Sequence, residues 1–338
     1  MTHEIGKKLI QQKKYKKAFL IFSKLLEKNS NDFKANFHMG RIYYDLNILN
    51  KSVFFFQKSN KLQPNNPNII FNLTLALQGV GKIESAKEKY LNLISLNEND
   101  VKSYYGLFIL GNNNINTNYL KKLKDLNKDV KVSLFEKSLI NFMFSKFEKK
   151  KGNLKKEIEF LKIAHSLCYD SNKSYNNQSD FYYKNIISEK FDKLNFNDDY
   201  IELKDFNDLN HIFIIGLPRS GSTLIETIIS HNAKKIHSVG EFHAINTSIL
   251  EQIGSIIFSK DFNLKDYKLT LNKQKFQESI INKYYNFEKK IYLDKSLENF
   301  FNIELILKFF PNAKFIHTHR NINDAIIGIH QTMLNELS

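Results

Sequence analysis

His211-Ile-Phe-Ile-Ile-Gly-Leu-Pro-Arg-Ser-Gly-Ser-Thr-Leu-Ile225 decides how the second half of this chain folds. The run from His211 to Ile215 is short, apolar and rich in β-branched residues, which predicts a buried parallel strand. Gly216 to Gly221 predicts a tight loop, because glycine at each end lets the backbone bend sharply or approach a ligand. Ser222 and Thr223 then open a helix whose apolar positions are Leu224, Ile225, Ile228 and Ile229. A strand, a glycine-bounded loop and a helix N-terminus together make an anion site. The first helical N–H groups have no partner within the helix, and the helix dipole adds partial positive charge. Arg219 adds a full one. The plainer reading is an ordinary strand–turn–helix of an α/β domain.

The stretch nearly follows the nucleotide-binding pattern G-x-x-x-x-G-K-[ST]. Gly216, Gly221 and Thr223 fit, but Ser222 occupies the lysine position and the cation lies inside the loop at Arg219. At Pro218-Arg-Ser-Gly-Ser-Thr223 the chain resembles a sulfotransferase. That resemblance implies a loop in which Arg219, Ser220, Gly221, Ser222 and Thr223 hold the 5′-phosphosulfate of PAPS (3′-phosphoadenosine-5′-phosphosulfate).

Three further stretches read as strands ending at the same rim, where an open parallel sheet binds its ligands. They are Ile236-His-Ser-Val-Gly-Glu241, Ile291-Tyr-Leu-Asp-Lys-Ser296 and Lys314-Phe-Ile-His-Thr-His-Arg320. An amphipathic helix is expected from Phe301 to Phe310, stopped by Pro311. The run Phe309–Arg320 resembles the second signature of sulfotransferases, which implies that Arg320 clamps the 3′-phosphate. A planar guanidinium meets phosphate oxygens in pairs. Gly328 stands where the family carries a serine.

The Gly240-Glu241 step resembles that of tyrosylprotein sulfotransferases and their repeat-containing relatives. It implies Glu241 as catalytic base, with His243 a second candidate, since a neutral hydroxyl attacks poorly until its proton leaves. Lys295 is implied as the cation that stabilises charge on the transferring sulfuryl group. The plain alternatives are a surface glutamate and an exposed lysine. His317 and His319 share a strand face, and His165 and Cys168 lie one helical turn apart, but neither pair has further ligands in sequence, so no metal is expected.

The first part of the chain repeats. Ala18, Ser52 and Ala86 are 34 residues apart, and so are Phe22, Phe56 and Tyr90. A small residue sits where two helices cross closely and an aromatic one turn later fills the gap beside it. Pro64 and Asn65-Asn-Pro67 separate repeats, while Asn47, Asn50, Gly79 and Gly81 are expected at turns. This pattern resembles tetratricopeptide (TPR) repeats, expected over residues 1–115 with a weaker fourth unit from Tyr104. Stacked repeats offer a concave face for a peptide or protein acceptor. Residues 116–205 read as a helical bridge or degenerate repeats, with a polar loop over 170–180 and a helix from Phe181 to Phe191. Residues 206–338 read as the sulfotransferase domain. Family members continue past the last helix, so this domain is expected to be truncated at its C-terminus.

With one cysteine, Cys168, the chain has no intrachain disulfide framework, and it shows neither a signal-peptide core nor an apolar span long enough for a membrane. The expected location is cytoplasmic. A net charge of +15 suits nucleic acid, anionic lipid or an anionic donor, but the lysines are scattered and no nucleic-acid motif accompanies them. The sequence therefore predicts an α-helical TPR solenoid followed by an α/β P-loop-type sulfotransferase domain with a parallel sheet. That domain would move a sulfuryl group from PAPS to a hydroxyl, a protein tyrosine being one acceptor. The alternatives are a non-catalytic TPR scaffold with a decayed nucleotide site, and a P-loop nucleotide kinase.

Overall fold

The computed structural model describes residues 2–111, 114–187, 195–196, 210–232, 235–259, 270–283 and 291–333. The chain divides into two compact units, one of Phe22–Asn176 with Ile329–Leu337, the other of Met1–Ile21 with Asn177–Gly328 and Ser338.

Helices α1 (His3–Gln11), α2 (Tyr15–Lys28), α3 (Phe33–Asp45), α4 (Leu49–Leu62), α5 (Pro67–Gly79), α6 (Ile83–Leu96), α7 (Val101–Ile109) and α8 (Thr117–Lys128) follow one another. The 34-residue step is set locally. Asp32, Asn66 and Asp100 each sit before a helix, and each side chain accepts from a backbone N–H of the first turn, at Ala35, Ile69 and Ser103. Lys13, Asn47 and Gly81, on the same step, turn the chain with φ of 54°, 55° and 78°. Asn50 and Gly79, expected at turns, fall inside α4 and α5, because one left-handed residue per hairpin already reverses the chain.

The small and aromatic positions of the repeat are buried. Ser52, Phe56, Ala86 and Tyr90 are all at most 1% exposed. The Phe56 ring fills the space where Gly40 lacks a side chain, and the Tyr90 ring does the same at Gly106. The Ser52 hydroxyl donates to the Gly40 carbonyl at 2.9 Å.

Beyond α8 come α9 (Leu134–Lys150), opened by a Ser133–Glu136 capping box, α10 (Leu154–Ser171) and α11 (Lys173–Phe181). The loop expected over 170–180 is therefore helical, broken only at Asn172. The stretch is polar but has no glycine or proline, and serine and asparagine disfavour a helix only mildly. The buried Asn176 amide donates to the Tyr169 carbonyl at 3.0 Å, which carries the chain across the break. The helix expected from Phe181 continues as a π-helical turn over Tyr182–Ile187, and residues 188–191 lie outside the described residues.

The other unit is built on parallel strands. β1 (Asn195–Phe196) precedes β2 (Asn210–Gly216), α12 (Ser222–Asn232), β3 (Ile236–Gly240), α13 (Ala244–Ile257), β4 (Thr270–Leu271) and α14 (Lys273–Lys283). After these come β5 (Ile291–Asp294), a 3-10 turn over Leu297–Asn302, α15 (Ile303–Phe309), β6 (Lys314–Thr318) and α16 (Ile322–His330). The main sheet runs β3-β5-β2-β6, all parallel, and β1 pairs with β4. Its register pairs Phe213 with Asp294 and Gly216 with Thr318, so β2 ends between its two neighbours. Phe213, Ile214, Leu293 and Tyr292 are at most 2% exposed. The helix expected from Phe301 begins earlier, as the 3-10 turn. The buried Asp294 carboxylate accepts from Ser296 N at 2.8 Å and bends the chain directly after β5.

The chain thus carries a helical repeat region followed by an α/β domain with a small parallel sheet.

Candidate functional site

The loop between β2 and α12 reverses direction through three residues with positive φ: Gly216 at 136°, Arg219 at 67° and Gly221 at 96°. Gly216 must be glycine, since any side chain there would run into the Thr318 carbonyl of β6. At Gly221 a side chain would meet nothing within 4 Å, so the loop opens onto free space beside the α12 N-terminus. Those two conditions suit a loop that wraps an anion.

The loop is braced from within. The Ser220 hydroxyl lies 2.6 Å from both the Leu217 carbonyl and Thr318 Oγ1, and Thr318 Oγ1 donates to the Ile215 carbonyl at 3.2 Å. Ser220, expected to contact the donor, has its side chain in this bracing. Thr318 escaped the sequence reading, because a threonine at a strand end carries no local signal. Ser222 is buried, while Arg219, Gly221 and Thr223 are exposed.

Arg320 leaves the end of β6 beside this loop, and its Nη1 reaches the Arg219 carbonyl at 3.4 Å. Asp324, in the first turn of α16, lies 3.8 Å from Arg320 Nε. The Arg219 side chain runs along α16 at Gly328, where a Cβ would meet Arg219 Cβ at 3.1 Å and Cγ at 3.3 Å.

A second cluster stands at the exits of β3 and β5. Lys295 N donates to the Gly240 carbonyl at 2.9 Å, which fixes the two exits side by side. Lys295 Nζ then lies 2.6 Å from Glu241 Oε1, 3.4 Å from Thr223 Oγ1 and 3.7 Å from Glu226 Oε2. The Lys295 side chain is 8% exposed and that of Glu241 is 57% exposed, so the lysine is held while the glutamate reaches solvent. Thr223 therefore joins the anion loop to the Glu241–Lys295 pair. Glu226, and Ser238 that donates to it, were not visible in the sequence as site residues.

His243 sits in the left-handed region at φ 53° and ψ 29°, with Nδ1 2.5 Å from Glu298 Oε1 and its N–H donating to Ser296 Oγ. Burial works to lower its pKa, but the hydrogen bond and charge of Glu298 outweigh burial and the pKa is raised. Its ring is thus committed to Glu298. A pocket of about 290 Å³ opens beside the first loop residues, lined by Leu217, Pro218, Leu297, Phe300, Phe301 and His317. The rings of His317 and His319 lie 6.5 Å apart, and His165 Nε2 lies 2.8 Å from the His330 carbonyl. Among the described residues no group of three histidines, cysteines or carboxylates is arranged to hold a metal ion, and no helix is long and apolar enough to cross a membrane.

Residues 211–337 match the model of the Sulfotransferase family. Over 130 residues the chain is 30% identical to an uncharacterized protein of Aquifex aeolicus (strain VF5). The match takes in 36% of this chain and 17% of that relative, so the chain spans under a fifth of its length. Among solved structures, YrrB, a TPR protein with an unusual peptide-binding site, is similar at TM-score 0.40 and 17% identity, over 48% of this chain and 83% of its own. MamA is similar at TM-score 0.40 and 16% identity, over 50% and 97%. Likenesses of that size carry no weight for what the repeats bind.

Proposed function

We propose that the chain is a PAPS-dependent sulfotransferase, similar to the tyrosylprotein sulfotransferases, whose acceptor is a hydroxyl. The observation that carries this reading is the joining of two clusters by Thr223: an anion loop flanked by Arg219 and Arg320, and a glutamate–lysine pair. A donor with phosphate at both ends needs two cationic seats, and a hydroxyl acceptor needs a base beside the seat that holds the sulfuryl group.

In this reading Gly221, Ser222 and Thr223 offer N–H groups to the 5′-phosphosulfate, Ser220 holds the loop in shape, and Arg219 adds charge. Arg320 seats the 3′-phosphate. Glu241 takes the proton from the acceptor hydroxyl. The acceptor oxygen forms a bond to sulfur as the bond from sulfur to the bridging phosphate oxygen breaks, and the electron pair leaves with PAP (3′-phosphoadenosine-5′-phosphate). Lys295 neutralises charge on that bridging oxygen and the sulfuryl oxygens. No metal is required.

The aromatic lining of the neighbouring pocket suits an acceptor whose hydroxyl stands on a ring, such as tyrosine in a protein. The repeats would hold the rest of such a protein. A cytoplasmic location is part of the same proposal.

The test is calorimetric titration with PAP. Binding by the wild-type chain that Arg219→Ala weakens at least tenfold supports the reading. A folded wild-type chain that takes no PAP contradicts it and leaves the scaffold alternative.

A further inference from the structure

We propose that Glu226 is a positioning residue for Lys295, an inference that rests on the sulfuryl-transfer reading. Lys295 Nζ faces two carboxylates of different character. Glu241 is 57% exposed and lies in the bend after β3, so its side chain is able to turn toward an acceptor. The Glu226 side chain is 13% exposed and rises from α12, one turn after the anion loop. One of its oxygens accepts from the Ser238 hydroxyl on β3, and the other lies 3.7 Å from Lys295 Nζ. The space beside that carboxylate is open on the side of position 240, where an added Cβ would come no nearer than 3.9 Å to Glu226 Oε1. One fixed carboxylate therefore ties together α12, which carries the loop, β3, which delivers Glu241, and the lysine at the exit of β5.

That arrangement solves a problem in the transfer step. Once Glu241 has accepted the proton of the acceptor hydroxyl it is neutral, and it no longer balances the lysine it contacts at 2.6 Å. A largely buried ammonium left without an anion is costly and swings toward whatever charge is nearest. Glu226 keeps Nζ at the loop rim throughout, so that the lysine meets the sulfuryl oxygens in place. Glu226 touches neither donor nor acceptor in this account and acts only through Lys295.

The experiment uses the full chain as wild type, Glu226→Gln, Glu226→Asp, Lys295→Met and the Glu226→Gln/Lys295→Met double variant. PAP binding is followed by calorimetry. Turnover is followed as PAP release from PAPS, with a synthetic tyrosine peptide as acceptor. Acylation of Lys295 by acetic anhydride is read by mass spectrometry against Lys283. Glu226→Gln is expected to lower kcat about 10- to 100-fold while PAP affinity changes less than about threefold. Lys295 acylation is expected to rise about fivefold relative to Lys283, with Glu226→Asp intermediate in both readouts. In the Lys295→Met background, Glu226→Gln is expected to cost less than about twofold, because a residue acting through another has nothing left to act on. Should Glu226→Gln fail to fold, Ser238→Ala carries the test by loosening Glu226 with its charge intact, and a smaller rise in Lys295 acylation is expected.

Unchanged turnover and acylation in a wild-type-like background that binds PAP overturn the role of Glu226 alone. An equal loss with and without Lys295 overturns it too. A folded wild-type chain that binds no PAP overturns the sulfuryl-transfer reading and this role with it.

Discussion

Arg320 Nη1 lies 3.4 Å from the carbonyl oxygen of Arg219, although the two residues come from separate signatures of the sequence. The link is backbone on one side, so the left-handed turn at Arg219 aims its carbonyl at the end of β6. Two arginines thus meet at one sheet rim, as the proposed donor site requires. The Arg219→Ala and Arg320→Ala variants are each expected to weaken PAP by about 10- to 100-fold, the range for a charged hydrogen-bonding group, and the double variant less than the product of the two. Calorimetry on the three variants checks this. Losses that multiply fully would mean the seats act independently.

Gly328 follows from the same corner. At Gly328, where the resemblance to sulfotransferases implies a serine, the stem of Arg219 takes the place of a side chain, with 3.1 Å from Arg219 Cβ to an added Cβ. Gly328→Ser is therefore expected to lower PAP affinity, by about three- to tenfold for a modest overpacking cost. Titration of that variant decides the matter, and a gain in affinity would show that the hydroxyl outweighs the displaced arginine.

The Glu241–Lys295 pair predicts a split between chemistry and binding. Glu241→Gln and Lys295→Met are expected to reduce kcat by about 10²- to 10⁴-fold and leave PAP affinity within about fivefold. Single-turnover transfer and calorimetry measured together check it. A parallel fall in PAP affinity would assign both residues to donor binding.

His211 makes the sheet unit sensitive to acid. It is 2% exposed, stacked against Phe213 and Tyr292 with the Phe310 ring tilted against it, and burial pushes its pKa down to about 3. The folded state keeps it neutral while the unfolded state takes up a proton below about pH 6.5. Its contribution is thus full above that pH and is lost as pH falls below it, by about 1.4 kcal/mol per pH unit. In urea unfolding, His211→Phe is expected to gain stability relative to wild type between pH 7.5 and 5. A pH-independent difference would refute the assignment.

In the helical unit, Tyr90 fills the space above Gly106. Gly106→Ala is expected to destabilise that unit by about 1–3 kcal/mol, with overpacking exceeding the gain in helix propensity. Urea unfolding of the variant reads the sign.

Much of the architecture was legible because it is written locally. Caps at Asp32, Asn66 and Asp100, with turns at Lys13, Asn47 and Gly81, repeat with the aromatics that the sequence displays. The strand–loop–helix around Gly216 and Gly221 was equally plain, since glycine spacing and apolar runs belong to one stretch of chain. Composition misled at 170–180, where polarity without a breaker still formed helix. In the candidate site, Arg219, Glu241, Lys295 and Arg320 were named through motif and resemblance. Glu226, Ser238 and Thr318 were not, because each matters only through a partner elsewhere in the chain: Lys295 for Glu226, Glu226 for Ser238 and Ser220 for Thr318.

The most direct measurement compares PAP with adenosine 5′-monophosphate by calorimetry on the full chain. The two ligands differ only in the 3′-phosphate that Arg320 is assigned to seat. PAP is expected to bind at least about tenfold more tightly, and Arg320→Ala to erase most of that preference. Equal affinity for the two ligands, or a preference that survives Arg320→Ala, contradicts a two-seat donor site.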